Sequence, residues 1–433
     1  MMYLIDGKKG TEHLKAAISG GVTIVQFRDK HPDDTTEERA RASLAVARAA
    51  GIPMVVNDDI HLAKKIGADG VHLGQDDGPI EDAKELLGDE AIVGRTAHNL
   101  EEALEAEREG ADYLGVGAVF ATTSKIVSSS ISPNALEEIA RTVSIPVYAI
   151  GGIDAENISF VNGRGLHGVA VIGAIANAED PREAAKKLTS RFRKELDYEA
   201  AIVDLDGTIL DSNGVWTRVD LDFLARRNLT APENYHKTLA GMGLHRGAAY
   251  IKELFDLPES PDEIIDELLR EVEEIYREEI ELRAGAREML AYLYERKIPM
   301  VVATMNADRL FRPCLTRLGI DKYFCAMLSG EDVTHNKNHP EIYEKALEIL
   351  GSDAKKTLLF EDILEAVRTG NGLGLITVAI DDPKNSEKPE EFMQAADVFL
   401  EKPGDFPGCF LEPCDDGIGK DALSGASACG DAW

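Results

Sequence analysis

A chain of 433 residues is longer than one ordinary domain, so two domains are the starting expectation. Its 47 Lys and Arg against 78 Asp and Glu leave a formal charge of −31, which argues against a general binder of nucleic acid or anionic membrane. Small phosphorylated molecules stay open as partners, because a few placed cations and a metal ion can override the global field.

The chain starts Met1-Met2-Tyr3-Leu4, without a secretory signal, and holds no apolar run long enough to span a bilayer. Cys314, Cys325, Cys409, Cys414 and Cys429 make neither a CxxC pair nor an even framework. A reducing cytoplasm is therefore expected, with Cys314 and Cys325 as small core residues.

Taken in order, short apolar runs at 3–5, 23–27, 53–56, 70–73, 91–93, 113–116, 146–150 and 169–172 read as strands. Segments with helical spacing, such as 37–50, 100–109 and 181–196, lie between them. This alternation predicts an N-terminal (βα)8 TIM barrel over residues 1–196. A second α/β pattern begins at 200–204 and continues with a helical stretch over about 214–287. Further strands are expected at 299–303, 357–360 and 376–380. This second part, 197–405, reads as a doubly wound Rossmann-like hydrolase domain whose helical insert forms a cap. Residues 406–433, rich in Gly, Ser, Asp and Cys, read as a disordered tail.

Polar motifs recur at the ends of the first set of strands. Arg28 and Lys30 leave the second strand on one side and suit phosphate oxygens. Asp58 and Asp77 end neighbouring strands and could share one hard divalent ion, Mg²⁺. Lys125, Thr122 and Ser124 offer a charge and two hydroxyls to a diphosphate. Gly151-Gly152 and Ile172-Gly173 end the seventh and eighth strands, where barrels often bind phosphate on main-chain N–H groups. Each motif alone has a plain structural reading; a strand-end Asp, for example, is often a helix cap.

Together these motifs resemble the thiamine phosphate synthase family over about residues 1–196, through Gln26/Arg28/Lys30, Asn57-Asp58, Gly74/Gln75/Asp77, Thr122/Ser124/Lys125 and 149–153. The resemblance implies that Gln26, Arg28, Lys30 and Asn57 bind an aminopyrimidine diphosphate, with Mg²⁺ on Asp58 and Asp77. Thr96 falls where the family has a serine, and Arg95 where it has a small apolar residue. Thr122, Ser124 and Gly152 would hold a thiazole phosphate, Lys125 the pyrophosphate in a catalytic role, and Ile172 and Gly173 would close the phosphate pocket. The related thiazole tautomerase is the alternative barrel, but it has no diphosphate to expel. Asp58, Asp77 and Lys125 therefore favour the synthase. His72 and His98 read as structural.

In the second half, Asp204-Leu205-Asp206-Gly207-Thr208 directly follows an apolar strand. Two carboxylates so spaced can divide labour, one attacking phosphorus and the other acting as acid and base. Thr304, Lys337 and Glu361-Asp362 follow in order. This resembles the capped phosphatase branch of the haloacid dehalogenase superfamily, over about 198–402. The resemblance implies Asp204 as nucleophile, Asp206 as acid/base, Thr304 and Lys337 as phosphate ligands, and Mg²⁺ on Asp204, the Asp206 carbonyl and Asp362.

The expectation is a bifunctional, Mg²⁺-dependent cytoplasmic enzyme acting on small phosphorylated substrates, with no nucleic-acid or membrane partner. A homo-oligomer is compatible with it. The alternatives are a synthase whose second domain is non-catalytic, or one carrying phosphomutase-type chemistry.

Overall fold

The computed structural model describes residues 1–6, 9–120, 130–240, 242, 244–385 and 387–408. The chain divides into two compact units, Met1–Asp197 with Pro389–Phe399, and Tyr198–Lys388 with Leu400–Phe406.

The first unit is built on eight strands: β1 (Met2–Asp6), β2 (Ile24–Arg28), β3 (Met54–Asn57), β4 (Gly70–Leu73), β5 (Ile92–Ala97), β6 (Tyr113–Gly117), β7 (Val147–Ile150) and β8 (Gly168–Val171). Each pairs in parallel with the next, and β1 pairs with β8 through Met2↔Ala170 and Tyr3↔Val171, closing a barrel. The strands read as continuous apolar runs because helices cover one face and the barrel interior the other. Gly94 in β5 shows how tightly that interior is filled. A Cβ there would lie 2.1 Å from Cζ of the Tyr113 ring. Parallel pairing collects the C-terminal ends of the strands at one mouth, which places Arg28 at the end of β2 and Asn57 at the end of β3 there.

Helices Thr36–Ala49 and Leu100–Arg108 lie within a residue of the spans their spacing predicts. Two elements differ from expectation. A 3-10 helix, Ile158–Val161, follows β7, so the pattern of an α-helix after every strand is not strictly kept. All four of its residues are buried. Residues 389–399 contribute to that burial: Ser159 Oγ donates to Met393 O at 2.9 Å, and the Phe160 and Phe399 rings stack at 6.4 Å. The helix expected over 181–196 is Pro181–Arg191. It stops because the main chain beyond it bonds elsewhere. Gly163 N donates to Arg193 O at 2.9 Å, Gly165 N to Lys194 O at 3.0 Å, and Arg193 N to Asn162 Oδ1 at 2.8 Å.

A second sheet holds β9 (Ala200–Val203), β10 (Met300–Ala303), β11 (Ala326–Leu328), β12 (Thr357–Glu361), β13 (Ile376–Ile380) and β14 (Val398–Leu400) in the order β11-β10-β9-β12-β13-β14. β9 and β12 are neighbours, so their ends lie side by side where the two acidic motifs emerge. Between β9 and β10 run the cap helices Val215–Arg226, Tyr235–Ala240, Leu244–Phe255 and Pro261–Glu278. The last of these opens with a capping box: Ser260 Oγ accepts from Glu263 N while the Glu263 side chain accepts from Ser260 N. Its buried residues Ile264, Ile265, Leu268, Val272, Ile275 and Tyr276 form one apolar stripe.

Cys314 is a buried free thiol, as expected. Cys325 packs, partly buried, against the sheet's core. Among the described residues no helix is long and apolar enough to cross a membrane.

Candidate active sites

At the barrel mouth, Asn57 closes β3 and Asp58 follows with φ 64°, a left-handed conformation that few non-glycine residues adopt. The cap of the next helix, Ile60–Ile66, is Asp59, whose carboxylate accepts from Leu62 N at 2.8 Å. The capping role that a strand-end Asp often plays therefore falls to Asp59 and not to Asp58. Strain of this kind gathers at functional sites.

Asp77 is exposed, and its carboxylate accepts from Gly74 N at 2.7 Å, which shapes the loop after β4. Arg95 braces that loop. It is buried, and it donates to Gly78 O at 2.6 Å and to Gln75 O at 3.4 Å. The arginine that departs from the family pattern thus supports the segment carrying Asp77.

Inside the mouth runs a polar chain. Gln26, buried in β2, hydrogen-bonds the Tyr113 hydroxyl, which is 3.0 Å from His72 Nδ1. His72 Nε2 lies 3.0 Å from Thr96 Oγ1, and Gln75 Nε2 donates to Thr96 O at 2.6 Å. Gln26 and Thr96 are thereby joined through Tyr113 and His72, two residues that sequence reasoning had not placed in the site. Among the described residues the buried Gln26 Oε1 has no hydrogen-bond partner.

Arg28 is half-buried and Lys30 exposed at this end. Asp29 between them turns to Arg39 at 2.5 Å and to Thr36 Oγ1 at 2.8 Å. After β7, Gly151 and Gly152 have φ 94° and 68°, and Gly152 O accepts from Asn157 Nδ2 at 2.9 Å. Ile172 precedes the short helix Gly173–Ala176. Thr122, Ser124 and Lys125 lie outside the described residues.

The second unit's site is tighter. β9 ends at Val203, and Asp204 N donates to Phe360 O at 3.1 Å, so Asp204 sits at the C-terminal end of a central strand beside the end of β12. The turn after it needs Gly207. At φ 78°, a Cβ would stand 2.1 Å from both Asp362 Oδ2 and Asn213 Nδ2. Asp204 Oδ1 accepts from Lys337 Nζ, and Oδ2 accepts from Thr208 Oγ1 at 2.9 Å. Lys337 also reaches Glu361 Oε1 at 2.5 Å, and Tyr343 donates its hydroxyl to that same oxygen at 2.8 Å. Asp362 accepts from Thr208 at 3.2 Å, Asn213 at 3.0 Å and Asn385 at 2.9 Å. Asp204, Glu361 and Asp362 are all buried, with ligand oxygens within 4.8 Å of one another.

Asp206 is held separately, by Ser212 Oγ at 2.7 Å, Asn306 Nδ2 at 3.1 Å, Thr304 Oγ1 at 3.4 Å and the Tyr276 hydroxyl. Tyr276 belongs to the cap helix Pro261–Glu278, so the second Asp of the motif is tied to the cap. Lys337 is the one ammonium hydrogen-bonded within this acidic cluster among the described residues. Burial foremost, opposed by Lys337, raises the Asp204 carboxyl above its ordinary range and Glu361 to about 8. Burial and then the Asp204 charge push Asp362 up to about 7. Burial works against the Lys337 charge, but Asp204 and Glu361 outweigh it and its pKa is raised.

Each half of the chain is similar to a known family. Residues 2–175 match the family model of thiamine monophosphate synthase, and residues 201–380 that of haloacid dehalogenase-like hydrolases. The thiamine-phosphate synthase of Chloroflexus aurantiacus is 45% identical over 185 residues, which are 42% of this chain and 85% of that protein. The thiamine phosphate pyrophosphorylase structure from Pyrococcus furiosus is 38% identical at a TM-score of 0.40, covering 44% of this chain and 93% of its own. The structure of CbbY from Rhodobacter sphaeroides in complex with phosphate is 21% identical at a TM-score of 0.40, covering 48% and 95%. The chain is thus a two-part enzyme, a transferase followed by a hydrolase domain of the haloacid dehalogenase type. Through its first part it belongs to the thiamine phosphate synthase family.

Proposed function

We propose that the barrel joins an aminopyrimidine methyl diphosphate to a thiazole phosphate, and that the second unit hydrolyses phosphomonoesters through an aspartyl-phosphate on Asp204. The observation that supports the first half best is the buried Gln26 Oε1, which has no donor among the described residues and which the amino group of an aminopyrimidine would satisfy. In this reading the methylene C–O bond breaks as pyrophosphate leaves, and the thiazole nitrogen forms the new C–N bond to the resulting cation. Arg28 and Lys30, with Lys125 outside the described residues, take up the charge that develops on the leaving diphosphate. Asp58 and Asp77 are hard oxygen donors at neighbouring strand ends and would suit Mg²⁺. When bound, the ion would supply charge neutralisation of the leaving group. Gly152, Ile172 and Gly173 remain assigned to the thiazole phosphate.

In the second unit, Asp204 attacks phosphorus while Asp206 gives its proton to the departing alcohol oxygen, whose bond to phosphorus breaks. Water then attacks the phosphorus, its proton passes to Asp206, and the bond to Asp204 breaks, restoring both carboxyls. Thr304 and Lys337 hold the phosphate oxygens. Asp204, the Asp206 carbonyl and Asp362 would hold Mg²⁺. The buried, all-oxygen acidic set fits a hard cation.

The raised Glu361 and Asp362 pKa values carry a testable sign. A carboxyl whose pKa is raised on folding favours the folded state while protonated, and that contribution is lost as pH rises through about 7 to 8. Millimolar Mg²⁺ is therefore expected to raise the melting temperature more at about pH 8 than at about pH 5.5, and Asp362→Asn should remove that difference. Equal shifts at both pH values in scanning fluorimetry would take the metal away from this set.

The proposal extends to the phosphatase substrate, namely thiamine phosphate, the product of the barrel. Its motive is the fusion of the two activities on one chain, which guarantees equal amounts of both. The test compares kcat/KM of the full chain on thiamine phosphate, its two precursors and a panel of sugar and nucleotide phosphates. Thiamine phosphate is expected to lead by roughly tenfold or more. If it ranks no better than unrelated esters, the second unit is a general phosphatase.

A further inference from the structure

Outside both catalytic sets, the second unit brings together two imidazoles and a carboxylate. Ligand atoms of His335, His339 and Glu341 all lie within 4.8 Å of one another. His335 Nδ1 is 2.8 Å from Glu341 Oε2, and the two imidazole rings stack with centroids 4.2 Å apart. Both histidines are exposed, while Glu341 is half-buried.

The carboxylate is held in place. Glu341 opens the helix Glu341–Leu350, and its Oε2 accepts from Thr334 N at 3.1 Å, His335 N at 3.2 Å and Thr334 Oγ1 at 3.0 Å. Supporting hydrogen bonds of this kind orient a ligand for an ion. Two ligands about 2.1 Å from a tetrahedral ion stand about 3.4 Å apart. A set already within 4.8 Å is at most about 1.4 Å wider than that spacing. Two imidazoles with one carboxylate suit Zn²⁺ and its late transition-metal neighbours far better than Mg²⁺. The chain's charge of −31 also draws cations to its surface.

The location links this cluster to catalysis. His339 N donates to Asn336 O at 3.0 Å, closing a turn in which Lys337 stands second. Lys337 is the residue that reaches Asp204 and Glu361. His335 precedes the turn and His339 ends it. We propose that His335, His339 and Glu341 form a binding site for a zinc-class ion, which clamps the base of the turn that presents Lys337 and so tunes phosphate binding by the phosphatase. The tuning rests on the phosphatase reading above, whereas the ion site itself does not.

The test titrates the full chain with Zn²⁺ against a chromophoric chelator in millimolar Mg²⁺. Wild type is expected to take up about one equivalent more than His335→Gln/His339→Gln, with unchanged far-ultraviolet circular dichroism in both. Asp204→Asn should keep that equivalent. Equal uptake by wild type and the double variant, or loss of the equivalent in Asp204→Asn, would overturn the site. With the site filled stoichiometrically, the KM for p-nitrophenyl phosphate should fall roughly twofold or more in wild type and not in the double variant. An unchanged wild-type KM would break the link to Lys337 while leaving the ion site standing.

Discussion

Asp204→Asn is expected to cut phosphate release from p-nitrophenyl phosphate by about 10³-fold or more, while the rate of thiamine phosphate synthesis stays within roughly twofold of wild type. The amide keeps the shape of the carboxylate and still offers an oxygen to Thr208 or Lys337. What it loses is the nucleophile, so binding can survive where turnover cannot. Both rates should be measured on the same full-length preparation. Phosphatase activity above a tenth of wild type would show that Asp204 is not the attacking group. A parallel fall in synthesis would show coupling between activities that the proposal assigns to separate sets of groups.

For the barrel, the combined substitution Asp58→Gly and Asp77→Asn is expected to lower synthesis by about 10² to 10³-fold without lowering the melting temperature. The choice of residues follows from geometry. Position 58 has φ 64°, where glycine is at ease and alanine would add strain of its own. Asparagine at 77 can still accept from Gly74 N, as Asp77 does at 2.7 Å, so the loop keeps its shape and only the charge is removed. Each single variant should lose less and should recover part of its rate as Mg²⁺ is raised from about 1 to 50 mM. A double variant that turns over near the wild-type rate at low Mg²⁺ would end the assignment of the metal to these two residues.

Much of this was readable in the amino-acid order because buried parallel strands leave a plain signal. β1 to β10, β12 and β13 each appear as a short apolar run ending in polar or glycine residues. β11 and β14 escaped notice because three residues, Ala326–Leu328 and Val398–Leu400, are too few to form a pattern. The cluster proposed as the second unit's site was legible because Asp204, Thr304 and Asp362 directly follow strands, where side chains converge. Glu361 was visible as part of a motif, but its task, holding Lys337 beside Asp204, needs the fold to be seen.

Tyr276 could not have been found. It lies on the apolar stripe of an amphipathic helix, where tyrosine reads as packing. Ser212 and Asn306 likewise carry no signal in a loop until Asp206 is placed beside them. In the barrel, Arg95 looked like a defect in the pattern and proved to be a brace for the loop bearing Asp77. His72 was expected to be structural, and it does sit buried, but as the link between Tyr113 and Thr96 within the mouth.

The 3-10 helix after β7 has a consequence for anyone who would divide the protein. Four residues do not screen a barrel wall as a three-turn helix does, and Phe160 and Val161 would face water if nothing else lay over them. Residues 389–399, nearly two hundred positions after the barrel's own sequence ends, take part in covering them. Besides the contacts of Ser159 and Phe160, Asn162 Nδ2 donates to Asp397 O at 2.7 Å and Arg191 to Gln394 O at 2.6 Å. The compact unit that holds the barrel is therefore discontinuous along the polypeptide. A gene truncated after codon 197 would encode every proposed synthase residue and still omit a piece of the wall. Poor behaviour of such a fragment would reflect where the chain was cut and would say nothing against the chemistry.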